Sequence, residues 1–161
     1  MSRQPASVVI QRRVEWLDTD ATGHYHHATV VRWVEAAECA LLAQIGLTDS
    51  PIMPRVHYQA SYGSRLWRHD LAATELRVEK VGRTSLHYSF SVHCGEERSA
   101  DGRMVVVNVA SEAGEPRPWN ERERQLLLES GPLRPELLTV PSPRVPELAE
   151  LNGDRWGIGY G

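Results

Sequence analysis

Between residues 18 and 27 the chain reads Asp18-Thr19-Asp20-Ala21-Thr22-Gly23-His24-Tyr25-His26-His27, two carboxylates, a glycine and three imidazoles in ten positions. Carboxylates and imidazoles are the side chains that most often attack carbonyls or carry protons near neutral pH. Directly after them comes an apolar segment, residues 28–45, without glycine or proline and followed by Gly46, a good residue for the left-handed position after a helix. The first turn of a helix leaves backbone N–H groups unpaired and favours negative charge. A carboxylate beside amides able to bind an oxyanion is equipment for acyl chemistry, and Gly23 gives the loop the backbone freedom to bring the two together.

The other polar residues of the stretch have plainer readings. Asp18 is expected to bind loop amides and, by like-charge repulsion, to raise the pKa of Asp20. His24, His26 and His27 are crowded in a loop, without the spacing of a helical metal site and with no cysteine nearby, so no metal is expected. Cys39 and Cys94 lie far apart in apolar surroundings and read as reduced, buried thiols.

The elements that must position this loop follow from periodicity. Val8, Ile10, Val14 and Trp16 alternate with Gln11, Arg13 and Glu15, which predicts a strand over residues 7–17. The helix over 28–45 is apolar round most of its circumference, with a narrow polar stripe through Arg32, Glu35 and Glu38, and is expected to be wrapped by other elements. Four more strands are expected near 53–62, 70–81, 84–94 and 103–111, with a tight hairpin at Gly82-Arg83 and a turn at Asp101-Gly102. Their short connections suggest an antiparallel meander. A second helix over 120–129 has Asn120 as N-cap and Glu123 as its capping-box partner. From Pro132 onward five prolines interrupt any regular element, so 1–131 is expected to be one domain and 132–161 an extended tail.

An α+β chain in which an antiparallel sheet of about five strands curls around a long central helix, followed by a short C-terminal helix and tail, resembles the hotdog-fold acyl thioesterases. The branch containing 4-hydroxybenzoyl-CoA thioesterase is the most similar. The resemblance covers about residues 8–129 and rests on Glu15-Trp16-x-Asp18-Thr19-Asp20-x-x-Gly23-His24, on Ala28-Thr29-x-x-Arg32-Trp33-x-Glu35-Ala36-Ala37 and on Arg83-Thr84-Ser85. It implies that Asp20 is the catalytic carboxylate, acting as nucleophile or as general base toward water. It also implies an oxyanion donor at the amide of His27 or a neighbour, with Gly23, His24 and Ala28 shaping that turn.

The His27 imidazole matches a histidine of some bacterial members and would orient water or the thioester. Trp33 and Tyr62 are candidates for the acyl pocket, Arg83, Thr84 and Ser85 for CoA phosphates or the pantetheine arm, and Arg65 and Arg68 for further phosphates. No cofactor is implied beyond the CoA or phosphopantetheine of the substrate. A homodimer or homotetramer with its site at the dimer interface is implied as well. The sequence departs from the family at His24-Tyr25-His26-His27, where apolar and aromatic residues or paired asparagines are usual, and at Val30, where tyrosine is common. His26 receives no role from the resemblance.

Composition bounds what remains. With 161 residues, 41% hydrophobic, the chain suits one well-buried domain, and a net charge of −3 gives no reason to expect nucleic acid or an anionic membrane as partner. The N-terminus lacks the apolar core of a secretory signal, so a cytoplasmic protein is expected. The leading expectation is hydrolysis of an acyl-CoA or acyl-carrier-protein thioester. A hotdog hydratase or dehydratase using a histidine with Asp20, or a non-catalytic acyl-binding module, are the alternatives. The arginine-rich composition and proline-rich tail are compatible with a bacterial enzyme of polyketide biosynthesis.

Overall fold

The computed structural model describes residues 3–47, 53–110 and 114–133. All but two residues of the expected tail therefore lie outside the described residues. The elements run β1 (Ser7–Arg13), a 3₁₀ turn (Trp16–Asp18), α1 (Thr29–Gln44), β2 (Arg55–Tyr62), β3 (Leu71–Val81), β4 (Ser85–Cys94), β5 (Glu97–Val107) and α2 (Glu121–Glu129). The strands form one antiparallel five-stranded sheet in the order β1-β3-β4-β5-β2, packed on α1.

This is the α+β, hotdog-type architecture expected, with two changes to its wiring. Only β3, β4 and β5 make a meander. β2 crosses to the far edge of the sheet and pairs with β5, so the edges are β1 and β2. The turn expected at Asp101-Gly102 is absent: β5 runs straight through these residues, and the chain reverses instead at Gly95-Glu96. Gly102 is needed for space, because a Cβ there would land on the Gln59 carbonyl oxygen of β2 and on the Phe90 ring. The room it leaves lets Tyr58 of β2 stack on Phe90 of β4 with ring centroids 5.5 Å apart. β1 also ends earlier than its alternation suggested. At Val14 the chain leaves the ladder and winds into the 3₁₀ turn, so Trp16, expected on the buried face, is 71% exposed.

α1 buries Val30, Trp33, Val34, Ala37 and Leu41 against inward strand residues such as Leu76, Val78, Tyr88, Met104 and Val106. Burial of each large apolar side chain contributes roughly 1.5–3 kcal/mol. The helix is not enclosed all round: Arg32, Cys39 and Ala43 face outward. Its polar stripe is not continuous either. Glu38, expected at solvent or an interface, is 3% exposed and bonds the Arg55 guanidinium reaching in from β2, which also meets Glu35 at 3.4 Å. Burial pushes the Glu38 carboxyl up, with Arg55 opposing. Asn120 and Glu123 form the expected capping box on α2, and Arg124 ties that helix to the β3–β4 turn through the Gly82 and Val81 carbonyls.

Gly102→Ala is expected to destabilise the protein by about 1–3 kcal/mol, the usual cost of overpacking. Chemical denaturation checks it, and an unchanged midpoint would mean that the β2–β5 approach is looser than described.

Candidate active site

The loop between β1 and α1 is pinned at several points by backbone bonds. Glu15 N–H donates to Asp18 Oδ2 at 2.9 Å, and the Asp18 carbonyl accepts from His26 N–H at 2.7 Å and Thr29 Oγ1 at 2.9 Å. Arg32 of α1 reaches the Asp18 carboxylate at 3.2 Å. Asp18 is therefore a brace of the loop, as expected. Asp20 N–H donates to the His24 carbonyl at 3.1 Å and Gly23 N–H to the Asp20 carbonyl at 3.0 Å, closing a turn in which Gly23 adopts φ +86° beneath the Trp67 ring. Tyr25 anchors the far side. Its N–H donates to the Leu66 carbonyl at 2.9 Å, its hydroxyl to the Ser99 carbonyl at 3.0 Å, and its ring packs on Trp33.

Asp20 opens this turn, with Ala21 and Thr22 at its tip. Its Oδ1 accepts from the Thr22 hydroxyl and from Thr22 N–H at 2.8 Å, and among the described residues its second carboxylate oxygen has no hydrogen-bond donor. The Thr22 hydroxyl and then the Thr22 amide hold the carboxyl below its ordinary value. Partial desolvation opposes them, and the fields of His24 and His26 add to the lowering. The expectation that Asp18 raises the Asp20 pKa is thus reversed, because the Asp18 carboxylate is spent on Glu15 and Arg32. Asp20 is an anion throughout the neutral range. The stability its hydrogen bonds lend is present above its unfolded pKa and is lost as the pH falls through the lowered folded one.

Two amides of the first turn of α1 find acceptors in the loop before it. Thr29 N–H donates to the His26 carbonyl at 2.8 Å and Val30 N–H to the His27 carbonyl at 3.3 Å. Ala28 N–H, expected as a possible oxyanion donor, is taken by His26 Nδ1 at 3.0 Å. The His27 N–H donates to nothing among the described residues. Tyr62 comes to the same place from the end of β2. Its hydroxyl donates to the His27 carbonyl at 3.3 Å, and its ring meets the His27 imidazole edge to face.

The histidines have separate tasks. His24 Nδ1 faces the Tyr25 carbonyl at 3.2 Å and its ring meets the edge of Trp67, while His27 stacks on His26 with centroids 4.2 Å apart.

Asp20, Gly23, His24, His27, Ala28 and Tyr62 are therefore gathered at one end of the sheet. Arg83, Thr84 and Ser85 are not. They form the β3–β4 turn at the opposite end, separated from the loop by the 11 residues of β3, on the order of 30 Å. That turn is locked in place: Trp119 donates its N–H to the Arg83 carbonyl and its indole N–H to the Ser85 carbonyl, leaving the Arg83 side chain exposed. Arg65 and Arg68 are exposed on either side of Leu66 and Trp67, both of which touch the loop. Sequence reasoning missed Thr22, His26 and Trp67. Thr22 left a signal, since a hydroxyl residue two places after an aspartate closes a local turn. Trp67 left none, because its contact with Gly23 spans 44 positions.

The profile of the thioesterase superfamily matches residues 22–100. A 1,4-dihydroxy-2-naphthoyl-CoA hydrolase of Prochlorococcus marinus (strain MIT 9303) is 30% identical over 117 residues, covering 63% of this chain and 78% of that protein. The chain belongs to the thioesterase superfamily. It is a thioester hydrolase. Two solved structures share the thioesterase's fold. A 1,4-dihydroxy-2-naphthoyl-CoA thioesterase from Synechocystis superposes with a TM-score of 0.67 at 15% identity, covering 75% of this chain and 95% of that one. A hypothetical protein from Aquifex aeolicus superposes with a TM-score of 0.68 at 21% identity, covering 74% and 98%. No described helix of the thioesterase is long and apolar enough to cross a membrane.

Thr22→Val removes the hydroxyl bond to Asp20 and leaves the amide bond. If Asp20 sets the acid limb of kcat/KM, that limb is expected to move to higher pH. A limb that stays in place would detach Asp20 from it.

Proposed function

We propose that this thioesterase hydrolyses acyl-CoA thioesters, with Asp20 as nucleophile or general base and the His27 amide as oxyanion donor. The observation that carries the reading is the His27 N–H just before α1, which donates to nothing among the described residues and lies in the same loop as a carboxylate with one oxygen free of donors. As Asp20, or a water it deprotonates, attacks the thioester carbonyl, the carbonyl oxygen gains negative charge. A fixed amide at a helix N-terminus stabilises that charge without reorganising. Collapse of the tetrahedral intermediate breaks the C–S bond and releases the thiolate, which needs little acid assistance. In the nucleophilic route water then cleaves the acyl-aspartyl anhydride. In the general-base route the free acid forms directly.

The first acyl group to try is 1,4-dihydroxy-2-naphthoyl, on the strength of the Prochlorococcus relative. Tyr62, beside His27 and 47% exposed, suits a pocket wall for an aromatic acyl group. The outer edge of β2 is unpaired among the described residues, which supports a dimer joined along it. Antiparallel pairing there would set the far end of the partner's sheet, with its Arg83-Thr84-Ser85 turn, beside the Asp20 loop. The CoA phosphates, or the arm of a carrier protein, would then be held by one subunit and the thioester cleaved by the other.

Free thiol release from a panel of acyl groups, each offered on CoA and on carrier protein, tests the reading. Asp20→Ala and Asp20→Asn are expected to lose activity by about 10²–10⁴-fold, the range for a missing acid–base group. Equal release by wild type and both variants would remove Asp20 from the mechanism, and enoyl-CoA hydration without thiol release would favour a hydratase. Sedimentation should find a dimer at micromolar concentration, and only monomer would refute a shared site.

A further inference from the structure

His26 is left over by the reading above, yet it makes the most specific side-chain contact at the start of α1. Its Nδ1 accepts the Ala28 N–H at 3.0 Å. An imidazole accepts through Nδ1 only when that nitrogen carries no proton, so the contact requires the neutral ring with its proton on Nε2. The same residue accepts the Thr29 N–H on its carbonyl and donates its own N–H to the Asp18 carbonyl. The two peptide units on either side of His27 are held in this way. The unit before it is fixed by Thr29, and the unit after it by the His26 ring on Ala28 N–H and by Val30 N–H and the Tyr62 hydroxyl on the His27 carbonyl. Between these two held units the His27 N–H donates to nothing among the described residues.

We propose that His26 is a positioning residue for hydrolysis, whose neutral imidazole occupies the Ala28 amide so that the His27 amide, and not its neighbour, meets the oxyanion, and whose protonation disarms the site. The inference rests on the oxyanion role of His27 proposed above. On protonation Nδ1 becomes a donor and the bond to Ala28 is lost. The cation cannot stay comfortably at the positive end of a helix. Several groups bear on it. Asp20, whose carboxyl already feels the His26 ring, offers an ion pair that would pull the imidazolium off the cap and occupy the carboxylate needed for attack. His24 competes for the same carboxylate, and His27 stacks on the ring. From α1, Arg32 is held on Asp18, and from β2, Tyr62 lies against His27. One proton would thus loosen the oxyanion donor and engage the nucleophile together.

The test compares kcat across pH for the full chain as wild type, His26→Asn and His26→Phe, with Asp20→Asn beside them. Asparagine can accept the Ala28 N–H and does not titrate. Phenylalanine keeps the ring stacked on His27 and cannot accept. Wild type is expected to lose kcat on the acid side in a limb of its own, apart from any that Asp20 sets. His26→Asn should keep kcat within about threefold at alkaline pH and lack that limb, while His26→Phe should lose about tenfold or more in kcat at every pH, with little change in KM, as for a disturbed oxyanion donor.

A wild type without that separate limb, or its persistence in His26→Asn, overturns the inference, as does equal alkaline kcat in the two variants. Circular dichroism and thermal melts identify a variant that fails to fold, and His26→Ala then takes its place. If Asp20→Asn is inactive while the His26 variants behave as wild type, only this inference falls. If Asp20→Asn is active, the mechanism beneath it falls.

Discussion

An α-helix begins with amide hydrogens that its own carbonyls cannot reach, and something outside the helix must take them or leave them open. At α1 the chain takes three of those just before and within its first turn. Ala28, Thr29 and Val30 donate to the ring of His26, to its carbonyl and to that of His27, and the His27 amide stays open. The rest of the loop can be read as the apparatus for that outcome. Asp18 braces the backbone, Gly23 turns it under Trp67, Tyr25 clamps it to Leu66 and Ser99, and Asp20 opens the turn with one oxygen free of donors among the described residues. Unpaired amides are tolerated only where solvent or a ligand can reach them, and His27 is exposed.

What could be seen in the sequence is what is local. The span of α1 needed only the absence of glycine and proline over 28–45, and the Asn120–Glu123 box needed only its spacing. The candidate loop itself was legible because its carboxylates and glycine stand next to the helix that follows them. Errors came where one local signal has two meanings. Asp101-Gly102 has the composition of a turn, but Gly102 is a glycine because Gln59 and Phe90, from two other strands, leave no space for a side chain. Trp16 continues an apolar alternation whose strand has already ended. The place of β2 beside β5 and the approach of Trp67 to Gly23 depend on contacts between distant parts of the chain. His26 was invisible as a cap because histidine is not among the residues usually found at helix starts.

The core of the thioesterase contains one costly polar arrangement. Glu38 is buried on α1 and its charge is met by Arg55 from the edge strand, with Tyr88 buried beside it. Breaking such a pair from one side costs about 3–5 kcal/mol, whereas replacing the whole with apolar groups is often neutral, so it is better understood as fixing geometry than as adding stability. The geometry it fixes is the position of β2 along the helix.

β2 is fastened to α1 at both ends, by Arg55 on Glu38 and Glu35 near the middle of the helix and by the Tyr62 hydroxyl on the His27 carbonyl at its start. The strand therefore behaves as a strut alongside the helix. Its outer edge is unpaired among the described residues, while its far end holds the peptide that follows the open amide. A shift of the strand along the helix would reach the turn that carries Asp20 through the hydroxyl and ring of Tyr62.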